Sequence, residues 1–222
     1  MARKKRTKSQ PTAFRKKRLR AKTGNQSSYI AAMNNSDVTF CSGPAGSGKT
    51  SVSVGLACEY LLQEKIKKII ITRPVVESGK GLGYLPGNLH EKIHPYLIPV
   101  VEEMNLYLSR EKVKAYKDNN TIEICPLEYM RGRNFHQCFM ILDEAQNATY
   151  EQMKMFATRM GRQSKCVING DIDQSDLPIN LRGGLEHWCE VLAEVSGVSV
   201  IELTFSDIIR NDIIAKILSA LE

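Results

Sequence analysis

Residues 38–50 read Val38-Thr39-Phe40-Cys41-Ser42-Gly43-Pro44-Ala45-Gly46-Ser47-Gly48-Lys49-Thr50. A short run suited to a buried strand passes directly into a glycine-rich segment that completes the pattern G-x-x-x-x-G-K-[ST]. An amphipathic helix is predicted over Thr50–Gln63. Strand, glycine loop and helix in this order form an anion site, because the glycines let backbone N–H groups curl around phosphates at a helix N-terminus whose dipole favours negative charge. The expected binding residues are Gly43, Pro44, Ala45, Gly46, Ser47, Gly48, Lys49, Thr50 and Ser51. In such a P-loop Lys49 reaches the β- and γ-phosphates and the Thr50 hydroxyl holds Mg²⁺. The implied ligand is a nucleoside triphosphate, ATP foremost, with Mg²⁺.

A second half of the site is expected at the end of another buried strand. Phe139-Met140-Ile141-Leu142-Asp143-Glu144 is the best candidate. Asp143 would bind the metal through water, and Glu144 would polarise the attacking water. Adjacent acids favour hydrolysis over transfer to an acceptor, which has less need of an activated water. A third element, Gly170-Asp171-Ile172-Asp173-Gln174, follows the strand-like Cys166-Val167-Ile168-Asn169. In a parallel sheet it falls at the carboxyl edge beside the phosphates, where Gln174 can contact the γ-phosphate or the lytic water. A polar turn is the alternative use of this stretch.

The surrounding chain fits a parallel sheet covered on both faces. Further strands are predicted at Lys68–Thr72, Thr121–Cys125, Phe139–Leu142, Lys165–Asn169 and Val198–Leu203. They alternate with helices expected over His90–Tyr107, Tyr150–Met160 and Gly184–Val195. Charge divides the chain unevenly. The first 24 residues hold eleven Lys/Arg and no acid, which leaves 20 bases against 24 acids in the remainder. Residues 1–24 are therefore expected to be a disordered basic arm, and 25–222 the nucleotide-binding domain. No apolar run approaches the roughly 18–20 residues of a membrane span. Six scattered cysteines without a C-x-x-C pair suit a reduced, cytoplasmic setting.

These motifs together resemble the PhoH family of ATPases over roughly residues 25–215. The resemblance rests on Gly43–Thr50, Thr72-Arg73-Pro74-Val75-Val76-Glu77, Leu82-Gly83-Tyr84-Leu85-Pro86-Gly87, Glu91-Lys92-Ile93-His94-Pro95-Tyr96, Met130-Arg131-Gly132-Arg133, Asp143-Glu144-Ala145-Gln146-Asn147 and Gly170–Gln174. It implies a RecA-like P-loop NTPase fold similar to the first such domain of superfamily 1 helicases. It also implies that Gln26 reads adenine, whose N6 and N7 an amide can pair together. Opening a helix as an exposed polar residue is that glutamine's other use. Asp173 stands where many members have Thr and adds negative charge near the phosphates.

Helicase-type ATPases complete their site with an arginine from a second RecA-like unit, and too few residues follow Gln174 for another one. A homo-oligomeric ring, expected as a hexamer, would supply it from a neighbour. Arg210 is the favoured sensor or finger, with Arg131, Arg133 and Arg159 as alternatives, and each can instead be a surface cation or structural ion pair. The basic arm suits sequence-tolerant binding of single-stranded nucleic acid, RNA or DNA. The Thr72-Arg73-Pro74 turn and the loop at Gly79–Tyr84 are candidates to line a strand channel. The leading expectation is a nucleic-acid-stimulated ATPase, in the form of a translocase or helicase. An ATP-switched regulatory assembly and a small-molecule kinase are the alternatives.

Overall fold

The computed structural model describes residues 17–74 and 89–209, with residues 89–96 as helix backbone alone. Six strands form one parallel sheet: β1 Val38–Ser42, β2 Lys68–Arg73, β3 Ile122–Pro126, β4 Cys138–Leu142, β5 Lys165–Gly170 and β6 Val198–Glu202. Their spatial order is β3-β2-β4-β5-β1-β6, so β5 separates the P-loop strand from the strand that ends before Asp143.

Both faces of this sheet are covered, which is why its central strands read as unbroken apolar runs. Along β4, Phe139 and Ile141 face one core with Ile69 and Ile71 of β2, while Met140 and Leu142 face the other with Ile70. The first face is packed by α1 Gly24–Asn35, α2 Lys49–Leu62, α3 Leu89–Tyr107 and α4 Arg110–Asp118. The second is covered by α5 Tyr150–Ala157 and α6 Gly184–Leu192, through Met153, Phe156 and Leu185. None of the six cysteines is in a disulfide, and five are buried as small apolar side chains. Among the described residues no helix is long and apolar enough to cross a membrane.

The expected strands are all present, with ends differing by one residue at most places. Helix α4 adds to the expectation. In α4 only Val113 is buried, so the segment lacks the apolar stripe that would announce it, and its start is set by Ser109 capping the Lys112 N–H. The end of α5 comes earlier than expected, because Phe135 accepts Gly161 N–H and pairs with Met160 in a short bridge that draws this backbone out of helix.

Part of the arm departs from the disorder expected of it. Lys17 N–H bonds the Leu106 carbonyl, Leu19 N–H bonds Glu59, and the Leu19 side chain packs against the first core. Thr23 caps α1 by accepting from Gln26 N–H. Averaged over 24 residues, the charge hides one apolar anchor and one cap. Arg210, residues 1–16 and the Gly79–Tyr84 loop lie outside the described residues.

Candidate nucleotide site

The parallel register brings the three motifs to one edge. Ser42 pairs with Gly170, so Gly43 and Asp171 leave the sheet side by side. Thr72 pairs with Leu142, so the next residues along, Arg73 and Asp143, are also neighbours. The site thus occupies the carboxyl edge, where β1, β5, β4 and β2 end.

Gly48 occupies the left-handed region at φ 100° as the N-cap of α2, and a Cβ there would meet Gln26 Nε2 at 2.7 Å. That close approach is used. Gln26 is 4 % exposed, its Nε2 donates to the Ser47 carbonyl at 2.8 Å, and its Oε1 accepts from Lys22 N–H at 2.9 Å. Gln26 is therefore a buried prop of the phosphate loop. Lys49 Nζ folds over the loop to the Gly43 and Pro44 carbonyls, at 2.6 and 3.0 Å. Ser47 Oγ bonds the Pro44 carbonyl, and Ser51 Oγ donates to Glu103 of α3 at 2.7 Å. Beneath the loop, Tyr29 donates to Asn169 at 2.5 Å and Asn169 donates to Ser53 at 2.9 Å. Burial pushes the Tyr29 phenol well above its ordinary value, so it stays a proton donor in this chain.

Asp143 is 1 % exposed. Its Oδ1 accepts from the Thr50 hydroxyl at 2.8 Å, and its Oδ2 accepts from Arg73 Nη2 at 2.5 Å and Nε at 2.9 Å. Glu144 stands in the left-handed region at φ 58°, a sparsely used conformation for a residue with a Cβ, and its side chain is 46 % exposed. Gln146 holds it. The amide Nε2 donates to Glu144 Oε2 at 2.8 Å, while Oε1 accepts from Asp171 N–H at 3.1 Å. Gly170 makes room for this bridge, since a Cβ there would stand 3.0 Å from Gln146 Oε1.

A cavity of about 380 Å³ is shared by Lys49, Thr50, Arg73, Glu144, Gln146, Asp171 and Gln174. That volume suits a small-molecule ligand. Gln174 is exposed at its rim, while Asp173 lies outside the lining. A larger cavity of about 910 Å³ lies past the β3 edge, lined by Ile122, Ile124, Tyr129 and others, and shares none of these residues. The oxygen donors fit a magnesium ion: the Thr50 hydroxyl, the buried Asp143 carboxylate, and Asp171 Oδ2, which is buried without a hydrogen-bond partner.

The family profile described as PhoH-like protein matches residues 18–222. This chain belongs to the PhoH family. The PhoH-like protein of Bacillus subtilis is 47% identical over 204 residues, which cover 92% of this chain and 64% of that protein. Protein PhoH of Escherichia coli is 38% identical over 202 residues, covering 90% of this chain and 57% of that one. This chain thus spans about three fifths of the length of such curated relatives. Among solved structures, the large terminase of a thermophilic bacteriophage aligns with TM-score 0.55 at 12% identity, over 87% of this chain and 49% of that one. The UvsW helicase of bacteriophage T4 aligns with TM-score 0.50 at 14% identity, over 84% and 61%. At such identities the likeness is one of fold, the RecA-like parallel sheet with a P-loop.

The sequence-predicted residues of this PhoH-family site are brought together where the structure describes them. The arginines are not. Arg133 forms a bidentate pair with Glu123 and lies over the Phe135 ring. Arg159 donates to the Met155 and Arg133 carbonyls. Arg131 is exposed and makes no side-chain hydrogen bond with another described residue. Two site residues go beyond the sequence expectation. Gln146 stands in the quoted Asp143–Asn147 motif, where nothing in the spacing gives it a role. Arg73 is expected as a channel residue, although a parallel register between β2 and β4 is enough to set it beside Asp143.

Proposed function

We propose that this PhoH-family protein is an ATPase that hydrolyses ATP at the P-loop and is stimulated by single-stranded nucleic acid. The observation that carries the reading is the convergence of Lys49, Thr50, Glu144 and Gln174 around one cavity at the carboxyl edge of the sheet, with Asp143 bonded to Thr50. The P-loop amides and Lys49 bind the phosphates, and Thr50 with Asp143 would hold a magnesium ion, which would neutralise phosphate charge. Glu144, positioned by Gln146, accepts a proton from the water whose oxygen bonds to the γ-phosphorus. The bond from that phosphorus to the bridging oxygen breaks, leaving ADP and inorganic phosphate. Gln26 supports the loop from the adenine side.

Arg131 is the described arginine best suited to act in a neighbouring subunit of a ring, since Arg133 and Arg159 are committed within the chain. Arg210 is the other candidate. The basic arm supplies the cations for a phosphate backbone, with affinity that falls as salt rises. The test is phosphate release from ATP and Mg²⁺ with and without single-stranded RNA and DNA, over a salt series. Stimulation that fades with salt is expected, and the more effective polymer identifies the strand. Turnover indifferent to both polymers would sink nucleic-acid stimulation and favour an ATP-switched assembly.

A further inference from the structure

Among the described residues, one contact that the ATPase reading leaves unused is that between Arg73 and the carboxylate expected to serve the metal. Arg73 is the last residue of β2, its side chain is 15 % exposed, and it spans to Asp143 with two donors on one oxygen. Its guanidinium also lies 4.0 Å from Glu144 Oε1. The cavity wall carries the Glu103, Glu144 and Asp171 carboxylates, Asp143 is bonded to the lining Thr50, and Arg73, itself in the wall, touches Asp143 and Glu144. The other cation of the cavity, Lys49, is bonded to the Gly43 and Pro44 carbonyls.

Such a cluster of acids behind a buried strand end requires a positive charge, because a buried carboxylate without one is strongly disfavoured. Two cations can supply it here, and they compete for the same carboxylate. We propose that Arg73 is an exchangeable counter-ion of the metal site. It neutralises Asp143 in the nucleotide-free protein, yields Oδ2 when magnesium and nucleotide arrive, and turns its guanidinium to the terminal phosphate. The inference rests on the ATPase reading for its ligand. It adds a residue that belongs to neither the P-loop nor the acidic motif. It also predicts that metal and arginine occupy Asp143 in alternation. Planar, paired donors suit both partners, since a guanidinium matches a carboxylate and a phosphate equally well.

The experiment uses the full chain and its Arg73→Gln and Arg73→Lys variants. Thermal midpoints are recorded against Mg²⁺ or Mn²⁺ without nucleotide. The wild-type midpoint is expected to be indifferent to either metal. Arg73→Gln is expected to start lower and to be raised by the metal, and the rise should vanish in Arg73→Gln combined with Asp143→Asn. Arg73→Lys, which keeps the charge but loses the paired donors, should fall between, and it reads the same exchange if the Gln protein does not fold. In a second measurement, the Mg²⁺ concentration that half-saturates binding of a fluorescent ATP analogue should fall about tenfold in Arg73→Gln, the scale of one charge-assisted hydrogen-bonded competitor. The preference for ATP over ADP should shrink in the same variant. Metal responses equal to wild type in both variants would overturn the proposal and leave Arg73 a fixed structural ion pair. Because the metal-alone titration needs no nucleotide, a protein that proves unable to hydrolyse ATP would refute the function above without obscuring this result.

Discussion

Gln146 donates its side-chain amide to Glu144 Oε2 at 2.8 Å while its carbonyl oxygen accepts the Asp171 N–H at 3.1 Å. The acid proposed to direct water is thus tied to the end of the neighbouring strand. The tie fixes a side chain that is nearly half exposed and stands on backbone in the left-handed region. Gln146→Ala should lower kcat by roughly tenfold to a hundredfold and leave KM for ATP nearly unchanged. Steady-state phosphate release measures both, and a change confined to KM would contradict the positioning role.

Gln26 offers a second test, because it props the loop and is proposed to read the base as well. Removing its amide leaves the Ser47 carbonyl without that donor in a buried place. Gln26→Ala should therefore cost about 1–3 kcal/mol of stability. It should also raise KM for ATP and narrow the preference over GTP. Urea denaturation and nucleotide competition read these separately, and unchanged discrimination would leave Gln26 a loop prop alone.

The basic arm divides at residue 17. Seven of its eleven cations lie in residues 1–16, whereas Leu19 and Thr23 are built into the fold. Deleting residues 1–16 should leave the thermal midpoint unchanged and flatten the salt dependence of nucleic-acid binding. Deleting residues 1–23 should lower the midpoint as well, since an N-cap alone contributes about 0.5–2 kcal/mol. Equal midpoints for the two truncations would contradict the docking of residues 17–23.

Most of the fold was legible because its strands are buried on both faces. Continuous runs such as Phe139–Leu142 and Lys68–Thr72 announce themselves without help from the rest of the chain. The P-loop was legible for a similar reason, since its chemistry lies in one contiguous stretch. What the sequence concealed were contacts made across the sheet. Arg73 meets Asp143 only through the β2–β4 register, and Gln26 meets Ser47 only through the packing of α1 beside α2. Helix α4 stayed hidden because its surface is charged nearly all round, with Val113 alone buried.

Arg133 and Glu123 give a prediction away from the site. Hydrogen bonds from Arg133 hold the Glu123 carboxyl at about 2, against the opposing effect of burial and with help from Lys68. A carboxylate with a lowered folded value contributes stability above its unfolded value, near 4.3, and loses it as pH falls toward 2. Both side chains keep some solvent contact, 37 % for Arg133 and 17 % for Glu123, so screening limits the pair to about 1–2 kcal/mol. Arg133→Ala should be destabilised by that amount at pH 7, with the difference from wild type shrinking between pH 4.5 and 2. Denaturation curves at several pH values check this, and a constant difference across the window would contradict the assignment.

Glu144 is proposed to direct hydrolysis in a site that other residues build for binding. Free-phosphate release from ATP with Mg²⁺ should be compared for the wild type and Glu144→Gln, alongside the affinity of each for a fluorescent ATP analogue. The predicted result is retained affinity with turnover reduced at least about a hundredfold. Equal turnover in the two proteins would rule out Glu144 as the residue that directs water, and no phosphate release from the wild type at any protein concentration would rule out hydrolysis at this site.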